Sequence, residues 1–386
     1  MTEQEFIESL NLCVKCGVCK SQCPTFNALH TETQSPRGRV QALRYYIGGK
    51  LHPTPKLNDI MFSCLLCGKC KTLCPLGINL EEVFYYGRNL LQKTDKKRNL
   101  FRLFSKFAFQ NTDMSIAISK PFHKIINRSL IHKGLLPKDI EYCETPFQKT
   151  GVFRAKDDKI GRVAVFSGCT VKHVYPELAF SLGHVLSFHN YEVVFPNAEV
   201  CCGAPFRSLG MDDTAKKYAR KNYDIFRHLN VDAIVSLCPT CVVALKMYYP
   251  KLLGESFSDN IYDVSTFLID KIKAATKPFE QKVTYHDPCH SINILNTKHE
   301  PRQLLKSVGA EVVEPDKSIC CGFGGTFSFF FKQTSKAILQ ASIHNLNNTG
   351  ASSIVTGCPN CILQLSKQIG DKPIYHIIEV IEEALL

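Results

Sequence analysis

The chain contains the triplet Cys-Cys-Gly twice, at 201–203 and at 320–322, and no other feature restricts its fold as tightly. Each triplet sits in the same frame. A lone cysteine precedes it (Cys169; Cys289), and Cys-Pro-x-Cys follows it (Cys238 and Cys241; Cys358 and Cys361). Cys289 lies 120 residues beyond Cys169, Cys320 lies 119 beyond Cys201, and Cys358 and Cys361 each lie 120 beyond their counterparts. Five cysteines at a nearly constant offset mark an internal duplication. Adjacent cysteines suit a disulfide framework poorly. They suit a polynuclear metal site, because two neighbouring thiolates can reach different atoms of one cluster.

The other cysteines point the same way. Cys13, Cys16, Cys19 and Cys23 follow C-x2-C-x2-C-x3-C-P, closed by Pro24, and Cys64, Cys67, Cys70 and Cys74 repeat it, closed by Pro75. In such runs three closely spaced thiolates wrap one cubane and the fourth reaches the other cluster. That rule assigns Cys13, Cys16, Cys19 and Cys74 to one [4Fe–4S] cluster and Cys64, Cys67, Cys70 and Cys23 to a second. A pair of zinc sites would want separated pairs of thiolates rather than this crossed arrangement. The five-cysteine frames exceed the four ligands of tetrahedral zinc; a non-cubane cluster would use all five, and zinc with one spare thiol is the alternative. Cys143, the nineteenth cysteine, belongs to no frame and reads as an ordinary thiol.

Composition sets the context. A chain of 386 residues has room for two or three domains, and 45% hydrophobic with 21% charged residues describes an ordinary soluble protein. No run of 18 apolar residues occurs. The start, Met1-Thr2-Glu3-Gln4-Glu5, is acidic and leads into no apolar h-region, so no signal peptide is expected. The expectation is a reducing cytoplasm, where cysteines serve as metal ligands or reactive thiols, with peripheral attachment at the inner membrane face as a variant. The net charge of +12 is concentrated: residues 88–138 hold 12 Lys/Arg against Asp95 and Asp113. A general polyanion binder would spread its charge, so no nucleic-acid partner is expected. The basic segment, with Leu100, Phe101, Phe104 and Phe107 at helical spacing, reads either as a surface for a membrane or partner protein or as a solvated face over a core-facing stripe.

The fold expected is α+β and multidomain. Residues 1–92 form a mainly helical two-cluster ferredoxin domain and 93–160 a basic helical connector. From Arg162 the texture turns to α/β, with repeats at 161–276 and 277–386. Apolar runs at 163–166, 191–195 and 232–237 are answered by runs at 283–285, 310–313 and 353–355, with helical stretches between them. Such alternation predicts parallel strands with crossover helices. Each cysteine group follows a strand, where open α/β sheets place their ligands. Gly203, Gly322, Gly324 and Gly325 are expected in tight turns around the sites. His286 and His290 flank Cys289 and either donate to cluster sulfurs, relay protons, or simply bond within their loop. No flavin or nicotinamide fingerprint is present.

The frame, C-x31-C-C-G-x34-C-x2-C in the first copy and C-x30-C-C-G-x35-C-x2-C in the second, resembles the cysteine-rich CCG domain of heterodisulfide reductase and its relatives, over residues 162–386. With two ferredoxin motifs ahead of it, the layout is similar to three related proteins. They are the iron–sulfur subunit of glycolate oxidase, the corresponding cysteine-rich subunit of anaerobic glycerol-3-phosphate dehydrogenase, and the fused catalytic subunit of heterodisulfide reductase. Ser35-Pro-Arg-Gly-Arg39 and the ending at 376–384 lean toward the glycolate oxidase form. Cys321–Ser328 leans toward lactate-utilisation relatives, and Cys201–Pro205 toward the glycerol-phosphate and heterodisulfide forms. The resemblance implies one or two non-cubane [4Fe–4S] clusters, held by Cys169, Cys201, Cys202, Cys238 and Cys241 and by Cys289, Cys320, Cys321, Cys358 and Cys361, with zinc in one repeat as the alternative. It implies an electron-transfer subunit that serves a flavoprotein dehydrogenase acting on a 2-hydroxy acid and delivers electrons to quinone or another acceptor. A membrane or quinone-linked subunit is then a further partner. The alternative is a catalytic role, cleaving a disulfide at a non-cubane cluster. No catalytic residue is assigned.

Overall fold

The computed structural model describes residues 1–110 and 152–385, apart from Asn197, Ser258, Lys273 and Ala274. Cys143 and the basic residues from Lys120 to Lys138 lie outside the described residues. The chain divides into two compact units that interleave in sequence. The first comprises Met1–Ser129, Gly203–Ala215 and Gly322–Gln340; the second comprises Leu130–Cys202, Lys216–Cys321 and Ala341–Leu386.

The first unit is helical. Thr2 starts the helix Glu3–Leu12 with a capping box: its hydroxyl accepts from Glu5 N at 3.2 Å and its N–H donates to Glu5 Oε2 at 2.7 Å. Ser35 caps Pro36–Ile47 and Thr54 caps Pro55–Phe62, each followed by proline at the first helical position, where the missing N–H costs nothing. Phe6, Leu10, Val40, Leu43, Met61, Val83, Phe84 and Leu91 form the buried apolar side of these helices and of Leu80–Leu91.

Arginines hold much of the rest. Arg88 is buried and donates from Nε to Met61 O (3.1 Å) and from Nη1 to Ser208 O (2.7 Å), and burial lowers its pKa to about 10. Arg207 pairs with Glu82 through both guanidinium nitrogens (3.1 and 2.7 Å) and lies 4.2 Å over the Tyr85 ring. Arg102 donates to Leu209 O at 3.0 Å. These bonds tie the segment 203–215 into the helical unit.

The helix Lys96–Gln110 departs from the expected stripe. Arg98, Arg102 and Ser105 are buried, whereas Leu100 and Phe104 are 79% and 64% exposed. Arg98 is paired with Asp95 and Asp59 and stacked against Phe62, Phe330 and Phe331. Phe101 is half-buried against Phe329 and Phe330, and the side chain of Phe107 lies outside the described residues. Arg98 and Arg102 face inward because each finds carboxylates, carbonyls or rings to pair with.

The second unit carries two mainly parallel sheets. In the first, β1 (Val152–Phe153), β2 (Gly161–Val165), β3 (Tyr191–Val194), β4 (Ala233–Ser236) and β5 (Ile261–Asp263) lie in the order β1-β3-β2-β4-β5, with only β1 antiparallel. In the second, β6 (Lys282–His286), β7 (Glu311–Val313), β8 (Ser353–Thr356) and β9 (Ile374–His376) lie in the order β7-β6-β8-β9, all parallel. The four-strand orders correspond, as a duplication requires. The central strands are continuous apolar runs rather than alternating ones, as expected for sheets covered on both faces. One core serves both repeats: Val163, Val165, Leu182, Val193 and Val235 of the first join Val283, Val355, Ile377 and Ile381 of the second. The sequence reading located six strands but not β1, β5 or β9, which are two or three residues long and carry little apolar patterning.

Candidate metal centres

Within the first unit, Cys13, Cys16, Cys19 and Cys74 line one cavity, and Cys23, Cys64, Cys67 and Cys70 line another of nearly equal size, about 380 and 370 Å³ of empty space. The structure thus brings together the crossed sets that the spacing suggested. The two cysteine loops repeat each other: Lys15 and Leu66 occupy corresponding positions and both adopt left-handed backbone (φ 60° and 55°), a conformation that non-glycine residues hold only under constraint.

The segment Ser35–Arg39 fastens both loops. Arg37 Nη1 donates to Lys15 O at 2.9 Å. Arg39 is fully buried; it donates from Nε to Ile60 O (2.9 Å), from Nη1 to Gln34 O (2.6 Å) and from Nη2 to Ser63 O (3.1 Å), and both Nη atoms reach Thr25 Oγ1. It joins the loop after Cys23 to the residue before Cys64. Gly38 is obligatory, since a Cβ there would lie 2.0 Å from Glu32 O. Sequence reading used these residues only as a likeness, and their fastening role emerges from the contacts.

All ten cysteines of the duplicated frames lie in the second unit, and their thiols form one continuous row of interacting neighbours. It runs Cys169, Cys201, Cys202, Cys241, Cys238, then Cys358, Cys361, Cys321, Cys320, Cys289. Cys321 and Cys361 are 3.5 Å apart. The order reads the same from either end, and the two repeats meet at Cys238 and Cys358. Strand ends place them: β2 leads to Cys169, β3 to the doublet at 201, β4 to Cys238, and β6, β7 and β8 do the same in the second repeat. Gly203 and Gly322 follow the doublets at φ 85° and 81°, which only glycine adopts freely; Gly324 and Gly325 also have positive φ.

Symmetry-related bonds cross between repeats. Thr170 Oγ1 donates to Asn360 Oδ1 at 2.9 Å, and Asn360 Nδ2 donates to Cys238 Sγ at 3.5 Å. Thr240 Oγ1 meets His290 Nδ1 at 2.9 Å. His290 is therefore engaged with the opposite repeat. His376 Nε2 bonds Leu237 O at 3.0 Å, and burial pulls its pKa down to about 4.

The donor chemistry fits metal clusters. All described cysteines are unbridged. Burial pushes Cys19 up to about 11, and burial with the neighbouring Cys64 and Cys67 raises Cys70 strongly. Cys289 is drawn down to about 7, chiefly by its bond with Cys320 and then by His290. Thiols packed this densely cannot all ionise together without cations among them, which clusters supply. One acid escaped the sequence reading. Glu199, two residues before the first doublet, accepts from Ser167 N (2.9 Å) and Gly168 N (2.6 Å), and burial raises it to about 8.

Comparison with known proteins agrees with this geometry. Residues 9–78 match the 4Fe-4S dicluster domain, and residues 163–246 and 283–366 each match the cysteine-rich domain termed CCG. The chain is 29% identical to the probable glycolate oxidase iron-sulfur subunit of Bacillus subtilis, over 93% of this chain and 88% of that one. It is 27% identical to one of the subunits of a fumarate reductase (CoM/CoB) from Methanothermobacter marburgensis, over 98% and 73%. It is also 27% identical to one of the subunits of the dihydromethanophenazine:CoB–CoM heterodisulfide reductase of Methanosarcina barkeri, over 97% and 94%. In fold it is similar to a hypothetical protein from Helicobacter pylori, with a TM-score of 0.60 at 9% identity, covering all of this chain and 73% of that one. The chain thus carries a 4Fe-4S dicluster domain followed by two cysteine-rich CCG domains, and it resembles a glycolate oxidase iron-sulfur subunit and a subunit of heterodisulfide reductase.

Proposed function

We propose that this chain is the iron–sulfur electron-transfer subunit of a flavin-dependent 2-hydroxyacid dehydrogenase complex of the glycolate or lactate type, delivering electrons to quinone or another acceptor. The observation that carries this reading is the match to a glycolate oxidase iron-sulfur subunit over nearly the full length of both chains. In this reading Cys13, Cys16, Cys19 and Cys74 hold one cubane, and Cys64, Cys67, Cys70 and Cys23 hold the other. Cys169, Cys201, Cys202, Cys238 and Cys241 hold a non-cubane [4Fe–4S] cluster, and Cys289, Cys320, Cys321, Cys358 and Cys361 a second. Bound clusters of this kind take up and release single electrons. The protein's part is to hold them. Arg39 and Arg88 fix the loop before Cys64, the buried thiols exclude water, and a flavoprotein partner supplies the substrate site. No helix among the described residues is long and apolar enough to cross a membrane.

A second reading, cleavage of a disulfide at the duplicated site, is favoured by one observation: the thiol row is continuous across both repeats through Cys238 and Cys358. Iron analysis and electron paramagnetic resonance of anaerobically purified protein, with and without an added disulfide, separate the two. The relay reading expects about sixteen irons per chain, four for each of four clusters, and no disulfide-dependent signal. A paramagnetic signal that appears only on adding disulfide overturns it in favour of the second reading.

A further inference from the structure

The two cysteine-rich sites share their five cysteines but not their surroundings. His286 is the last residue of β6, held in register opposite Thr356, whose hydroxyl donates to His286 O at 3.0 Å. His286 is 3% exposed, and its Nε2 has no hydrogen-bond partner among the described residues. The ring neighbours the Cys321 thiol. Its donor atom and the sulfurs of Cys321 and Cys361 all fall within 4.8 Å of one another. Lys367, whose Nζ donates to Gln364 Oε1 at 2.8 Å, adds positive charge within electrostatic range of Cys321.

At the same offset the first repeat has Phe166, where the second has His286. Phe166 is fully buried, its backbone N–H continues the ladder to Val235 O at 2.9 Å, and its ring packs on Phe226 with centroids 5.6 Å apart. A phenyl ring has no N–H to offer a sulfur. An N–H aimed at a ligating sulfur withdraws electron density from it. It therefore stabilises the more negative, reduced form of a cluster, and hydrogen bonds to sulfur are among the levers that set cluster potentials.

We propose that His286 donates a hydrogen bond to the Cys321 sulfur and thereby raises the reduction potential of the cluster of the second repeat. His286 is a positioning and tuning residue, not a ligand. The inference rests on the reading that both repeats hold iron–sulfur clusters.

The test is a potentiometric titration, followed by electron paramagnetic resonance, of the full chain purified anaerobically. Native protein is compared with His286→Phe, which copies the first repeat, with His286→Gln, which keeps a donor, and with Cys321→Ser, which identifies the signal of the second repeat. His286→Phe is expected to retain all its iron and to lower the midpoint of that one signal by at least a tenfold change in the reduction equilibrium, about 59 mV for a one-electron couple. His286→Gln is expected to recover part of the shift, and all other midpoints stay fixed. Unchanged midpoints in His286→Phe with iron retained overturn the proposal. Loss of iron from the second repeat in both His286 variants overturns it too, making His286 a ligand. If Cys321→Ser loses no iron relative to native protein, the underlying cluster assignment falls, and this inference with it.

Discussion

In the first repeat the loop bearing Cys169 is held by a carboxylate that accepts backbone N–H groups: Glu199 takes Ser167 N and Gly168 N. In the second, the corresponding loop supplies the carboxylate itself. Asp287 accepts from Arg302 Nη1 and Nη2 at 2.7 and 3.1 Å, Arg302 also grips Glu314, and Pro288 stands where Gly168 offers its N–H. The loops have the same task, presenting one thiol at the carboxyl end of a strand, and they achieve it with unrelated bonds. The duplicated cysteines fix where the chain must be, whereas the bonds that keep it there are free to diverge. That divergence gives two sites with the same five cysteines different electrostatics.

The largest expected effect tests whether the sites are separate. Cys202→Ser and Cys321→Ser should each remove the metal of its own repeat and leave the other repeat and the dicluster domain loaded, read by iron content per chain. Loss from both repeats in either variant would show that the continuous row holds one shared assembly. Next, Arg302→Met leaves Asp287 buried without its cation, which costs about 3–5 kcal/mol by the measure of broken buried pairs. The check is chemical denaturation of the anaerobic protein. Glu199→Ala strands two N–H groups in the first repeat and should cost about 2 kcal/mol, with Glu199→Gln closer to native. If both loops respond equally to loss of their fastener, the contrast drawn between them is wrong.

A smaller effect lies where the C-terminal helix of the second repeat meets the first. Glu379 accepts from His376 N at 2.6 Å, and burial, with Glu177 and Glu382 nearby, raises it to about 7. The folded chain keeps this proton after the unfolded chain has lost it near 4.5. Stability should therefore fall as pH rises from about 4.5 to 7, by about 2 kcal/mol after allowing for partial exposure. Glu379→Gln should flatten that decline in denaturation midpoints taken across the range. His376, depressed to about 4, acts oppositely, losing stability as pH drops below its ordinary value, and that branch should persist in the variant.

The grouping of the cysteines was legible in the sequence because a metal site would need specific atoms at specific spacings. The two four-cysteine sets, the duplicated frames and their places after strands were all legible, as were the apolar runs of the central strands. What holds the loops was not. Arg39, Arg88, Glu199 and Arg302 look in sequence like ordinary surface charges, and only tertiary contact shows them buried against carbonyls, N–H groups and carboxylates. The helix Lys96–Gln110 shows the same limit: its aromatic stripe left a docking surface and a core face both open, and only tertiary contact shows paired arginines on the inside. The packing of the segments after each doublet with the N-terminal helices is a long-range property that no local pattern reports.

The central claim is that these thiols hold iron–sulfur clusters at four places, two in the dicluster domain and one in each repeat. Anomalous diffraction at the iron and zinc edges, from crystals grown anaerobically, tests it most directly. The account predicts four peaks that appear on crossing the iron edge, at the cavities around Cys19 and Cys70 and beside Cys202 and Cys321, with no signal gained on crossing the zinc edge. Zinc at either duplicated site, or iron at the dicluster cavities alone, would contradict it.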